Sequence, residues 1–176
     1  MSRIVSSGIM QSQTEIFQRL LNHVWKRSAF FRDLYASHGI KEKDLAEVGV
    51  HDLPFITKEI VMDNFDAVVT DPRLKKKEIE DWLHKDRDPF NNYKNHFIVT
   101  HSSGSSGQVG ITAIDQKAWR TATTAMAAHL PPPENYPLGK TSVAFYLVSH
   151  GHFGGVSSAA RMLEGAYETI ARHAVA

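Results

Sequence analysis

Between residues 17 and 35, Phe17, Leu20, Leu21, Val24, Trp25, Phe31 and Tyr35 recur at three- and four-residue spacing, with Ser28 on the same stripe. That period puts them on one face, so the pattern predicts a single amphipathic helix. His38-Gly39 closes it, because glycine takes the left-handed conformation that ends helices. Leu53-Pro54-Phe55-Ile56 leads to Thr57, a predicted N-cap, with Glu59 in the first turn where the helix dipole favours an anion. Asp71-Pro72 ends this second element. Leu74, Ile79, Trp82 and Leu83 outline a third helix with Lys75, Lys76 and Lys77 near its start. A lysine run of that kind is ordinarily a solvated face rather than a phosphate patch.

After the polar loop Asp86–Asn95, the period changes from helical to extended. Phe97-Ile98-Val99 reads as a strand that a Ser/Gly cluster ends abruptly, and Ile111-Thr112-Ala113-Ile114 reads as a second. Asp115 is the predicted N-cap of a helix bearing Trp119, Ala122, Met126 and Leu130, which Pro131, Pro132 and Pro133 forbid from continuing. Thr141–Ser149 is the strongest strand pattern, followed by a loop with Gly151, Gly154 and Gly155 and a helix from Ser157 onward. The order predicts an α/β fold, with α+β the alternative. It divides into an N-terminal helical region at 1–95 and an α/β region at 96–176.

Composition narrows the function classes. With 42% hydrophobic and 22% charged residues, the chain has the balance of a globular protein. A formal charge of +1 supplies no basic field for nucleic acid. The absence of cysteine removes disulfides and zinc–thiolate sites, and fits a reducing, cytoplasmic setting. No apolar stretch approaches the length of a membrane span.

Six of the seven residues from Ser102 to Gln108 are serine or glycine. Glycines let successive N–H groups turn toward one anion, and hydroxyls add donors without charge. The segment lacks the Lys-Ser/Thr ending of a Walker loop and the strand-to-helix setting of a dinucleotide fingerprint. A flexible linker or tag-like spacer is the plain alternative. Strand-like sequence on both sides favours an anion-binding turn.

Thr100–Gly110, Thr-His-Ser-Ser-Gly-Ser-Ser-Gly-Gln-Val-Gly, resembles the Ser/Thr/Gly-rich signature loop of the adenylate-forming superfamily of acyl-CoA synthetases and related ligases. Ser28-Ala29-Phe30-Phe31-Arg32, His38-Gly39-Ile40 and Asp52–Glu59 resemble the N-terminal region of the phenylacetate–CoA ligase family. The longer interval before the loop is more similar to its capsular-polysaccharide-associated and coenzyme F390 synthetase-like relatives, and the resemblance makes 96–176 a partial α/β nucleotide-binding subdomain, one incomplete domain overall. The resemblance covers most of residues 15 to 160. It implies phosphate contacts at Ser103, Gly104, Ser105, Ser106 and Gly107, with ATP and Mg²⁺ as cofactors and coenzyme A as co-substrate. It also implies a small-molecule carboxylic acid, for which an aromatic acid is one candidate. The reaction implied is formation of an acyl-adenylate and then a thioester. Where many members carry a lysine just after the loop, this chain has Gln108-Val109-Gly110.

The loop Ser149–Gly155 corresponds to the superfamily's aromatic- and glycine-bearing loop near the acyl pocket, which makes His150, His152, Phe153 and Gly154 pocket candidates. Two histidines without a carboxylate or thiolate are a poor metal set, and no metal site is expected there. His101 adjoins the phosphate loop, and Arg161 and Glu164 are spaced as a surface pair. The superfamily's downstream adenine motif, ribose aspartate and catalytic lysine have no counterpart here, so the expectation is an N-terminal portion, inactive by itself. Its unfinished sheet would favour self-association into a homo-oligomer. A complete non-catalytic phosphate-binding module and an assembly domain are the competing readings.

Overall fold

The computed structural model describes residues 2–105, 107–129 and 150–164, with side chains placed for 13–105, 107–125 and 150–161. Thr141–Ser149, the strongest strand pattern, lies outside the described residues, as do Ser106 and Leu130. The described residues combine helices with a two-stranded antiparallel sheet, a mixed fold of the α/β or α+β kind. The chain divides into two compact units, Met1–Lys76 and Lys77–Ala176.

The first unit is helical. The expected single helix is two, α1 (Ser2–Arg27) and α2 (Ala29–Ser37). Ser28 breaks it, because its backbone is extended and its side chain caps α2, accepting from the Phe31 N–H at 3.4 Å. The same hydroxyl donates to the Ala67 carbonyl at 2.9 Å, and the residue is fully buried. That tertiary partner is invisible to helical periodicity. At the far end of α2, Ile40 N–H bonds to Tyr35 O and Gly39 N–H to Ala36 O, with Gly39 at φ +81°. This pair of bonds is the Schellman closure expected of His38-Gly39. Leu21, Tyr35, Ile40, Leu45 and Val48 form the core, with Phe17, Val24, Trp25 and Phe31 packed against it.

Thr57 caps α3 (Lys58–Asp63), accepting from the Ile60 N–H at 3.3 Å, and α4 (Phe65–Val68) follows after Asn64. The three lysines are engaged separately. Lys75 faces Asp66 at 3.9 Å, Lys76 donates to the Met62 carbonyl, and Lys77 pairs with Asp81 at 2.8 Å.

The second unit holds α5 (Lys76–Lys85), β1 (Phe97–His101), β2 (Ile111–Asp115), α6 (Gln116–His129) and α7 (Gly154–Glu164). Phe97 pairs with Asp115 and His101 with Ile111, so the Ser/Gly segment is the connection of a β-hairpin. Successive strand residues face opposite sides, and Phe97, Ile98 and Val99 are all buried, so both faces of β1 are covered. α6 packs on both strands and α7 on β1. Asp115 Oδ1 accepts from the Ala118 N–H at 2.8 Å, capping α6 as expected. Gly154 and Gly155, expected in a loop, instead open α7. Gly154 lies against strand β1, where an added Cβ would meet Thr100 Oγ1 at 3.9 Å.

Candidate functional site

The hairpin connection begins at Ser102 and returns at Gly110. Ser102 N–H donates to Gly110 O at 2.9 Å, and Gly110 N–H donates to Ser102 Oγ at 2.8 Å. Ser102 therefore closes the base of the loop. Within the loop, Gly107 N–H donates to Gly104 O at 2.9 Å, a tight turn, and Ser103 Oγ donates to Ser105 Oγ at 3.4 Å. Gly104 and Gly107 sit at φ +73° and +93°, where a side chain is strained. Gly104 is also confined: a Cβ there would lie 2.9 Å from Val109 Cγ2. Ser103, Ser105 and Gly107 are exposed at the tip.

The pocket candidates separate. His150 is exposed, whereas His152 is 1% exposed. The His152 ring lies 4.2 Å from the Trp82 ring, and its Nε2 is 3.2 Å from Asp86 Oδ1. Its Nδ1 is buried without a hydrogen-bond partner. Phe153 instead stacks on His101, ring centroids 4.3 Å apart, and the two residues form a parallel bridge. The His101 N–H donates to His152 O at 2.9 Å, and His101 Nδ1 lies 3.0 Å from Ser102 O. The segment 151–153 is thus the neighbour of β1 just where the glycine loop departs. Among the described residues no group of three metal-ligating side chains comes together.

Asp86 gathers the loop after α5. Its carboxylate accepts from Asn91 Nδ2, the Asp88 N–H and His152. Burial alone would raise its pKa, but these hydrogen bonds outweigh burial and hold the carboxyl below its usual range. For His152, burial pushes the pKa down, against the pull of Asp86. Arg161 also holds this loop, its Nη2 donating to the carbonyls of Pro89, Phe90 and Asn91. Surface-pair spacing with Glu164 did not suggest that role, because the carbonyls lie 70 to 72 residues away in sequence.

A cavity of about 370 Å³ opens elsewhere in the same unit, lined in part by Phe90, Ile98, Gln116, Trp119, Arg120 and Arg161. Its size is within the range of small-molecule sites. Trp119, expected to be core, is one of its walls. Among known proteins, the chain matches no family model, no curated sequence and no solved structure. The described helices include none long and apolar enough to cross a membrane.

Proposed function

We propose that this chain carries the phosphate loop of an adenylate-forming, ATP-dependent carboxylic acid ligase. The observation that carries this reading is the hairpin connection 102–110, closed at its base by Ser102 and turned at two positive-φ glycines. Its residues suit a polyphosphate chain. Ser103 and Ser105 carry exposed hydroxyls, the Ser103 proton turning from Ser105 Oγ to the phosphate, and the glycines allow phosphate oxygens to approach the backbone closely. The segment has no lysine or arginine, so Mg²⁺ bound with the nucleotide offsets the phosphate charge. Bound ATP supplies the α-phosphoryl group that a carboxylate attacks, with pyrophosphate as the leaving group. The loop binds and orients the outgoing phosphates. The acceptor is coenzyme A, and the acid is a small organic molecule, an aromatic acid among the candidates. The setting is the cytoplasm.

The experiment is a titration of the chain with MgATP and with pyrophosphate, followed by amide NMR. The expected result is saturable shifts confined to Ser102–Gly110 and weakened by Gly104→Ala. Unmoved loop amides would overturn the reading. Exchange of labelled pyrophosphate into ATP, run over a panel of carboxylic acids, then tests the chemistry. Binding at the loop without exchange identifies a non-catalytic phosphate module instead.

A further inference from the structure

The base of the glycine loop hangs from a polar pair, the buried His152 and the half-buried Asp86, that phosphate binding itself does not use. His101, the last residue of β1, is held by its N–H on His152 O and by its ring on Phe153. The backbone of 151–153 is in turn fixed at two points. Gly151 N–H donates to Arg87 O at 2.7 Å, and the His152 ring is bound to Asp86 Oδ1 and packed on Trp82. A carboxylate accepts only, so Nε2 is the protonated nitrogen and Nδ1 carries a lone pair. That Nδ1 is buried without a partner.

We propose that His152 is a positioning residue for the glycine loop: its neutral ring, tied to Asp86, fixes the backbone from which His101 and Ser102 project, and anion binding weakens when the ring is protonated. This rests on the phosphate-loop reading above. A proton arriving at Nδ1 places a charged donor where no acceptor meets it, and burial makes that costly. The ring has Asp86 at the end of α5, His101 on β1 and Arg161 on α7 as its charged or titratable neighbours. Asp86 favours the proton, while His101 and Arg161 oppose it, and burial is the largest influence. A protonated His152 relieves the conflict by moving toward water, which withdraws the acceptor of the His101 N–H and slackens the loop base.

Sulfate is a suitable probe, because it is a tetrahedral dianion whose charge is constant over the range in which histidine titrates. Its binding is followed through the amide signals of Ser102–Gly110 in the wild type and in His152→Gln. The glutamine amide keeps a donor for Asp86 but takes no proton. The wild type is expected to lose about threefold or more in sulfate affinity as pH falls from about 7.5 to half a unit below the midpoint of its own His152 ring signals, as the competent fraction falls. His152→Gln is expected to change by less than about 1.5-fold. An equal fall in both proteins overturns the proposal and assigns the effect to another group. Without ligand, the loop amides should titrate with the midpoint of the His152 ring signals, a comparison that needs no variant. Different midpoints also overturn it. Absence of sulfate binding at every pH refutes the phosphate-loop reading instead, while coincident ligand-free midpoints would still establish the brace.

Discussion

Alanine at Gly104 and at Gly107 poses two different problems for one loop. Both glycines have positive φ, so each alanine incurs the left-handed penalty of about 1–2 kcal/mol. A stiffer unfolded chain offsets about 0.4–1 kcal/mol of that. At Gly107 nothing lies within 4 Å of the added methyl, so the net cost should be roughly 0.5–1 kcal/mol. At Gly104 the methyl falls 2.9 Å from Val109 Cγ2, well inside the contact distance of about 3.5–4.0 Å between carbon atoms. Val109 is 48% exposed, so it can swing away by leaving its preferred rotamer, at about 0.5–1.5 kcal/mol. Gly104→Ala should therefore cost roughly 1–2.5 kcal/mol. Trimming the obstacle in Gly104→Ala/Val109→Ala should return the cost to the Gly107→Ala level. Urea midpoints at unchanged slope measure the global part, and amide exchange across Ser102–Gly110 captures any purely local part. The reasoning fails if Gly107→Ala costs as much as Gly104→Ala, or if Val109→Ala brings no relief.

Two further outcomes follow from buried polar groups. Ser28→Ala removes the cap of α2 and leaves the Ala67 carbonyl without its donor, so thermal or urea unfolding should show a loss of about 2–3 kcal/mol. A loss under about 0.5 kcal/mol would mean that the buried hydroxyl contributes nothing net. Acid should destabilise the second unit in two steps. His152 has a lowered pKa, so its contribution is full above its ordinary value of 6.5 and is lost as pH falls through the lower folded value. Asp86 is also lowered, so its contribution is full above 3.8 and is lost below that. Urea midpoints against pH should show the first step in the wild type and not in His152→Gln.

Phosphate binding at the loop and the His152 brace would make one unit of two parts. On that proposal the exposed tip would supply donors, and the His152–Asp86 pair beneath it would set where they stand. The tip was legible as sequence because glycine and serine at that density have few structural uses between two strands. The brace was not. Asp86 and His152 are 66 residues apart, and neither stands out in composition. His152 drew notice as half of a His-x-His pair facing a pocket, whereas its ring is buried on Trp82. The one available signal was a histidine three residues past the strongest strand pattern, too general to name its partner.

Local rules reached far into the fold. Thr57 and Asp115 cap the helices they precede, Gly39 closes α2, and the runs at Phe97 and Ile111 are strands. Each depends on residues within four or five positions, the range over which backbone dihedrals and neighbouring hydrogen bonds decide conformation. Tertiary structure contributed the break of the first helix at Ser28, where the capping hydroxyl also donates to a carbonyl 39 residues away. It likewise decided that Arg161 serves the loop at 89–91, and that the glycine loop is seated on segment 151–153. These outcomes depend on which distant group arrives at hydrogen-bond distance, and periodicity along the chain carries no record of that meeting.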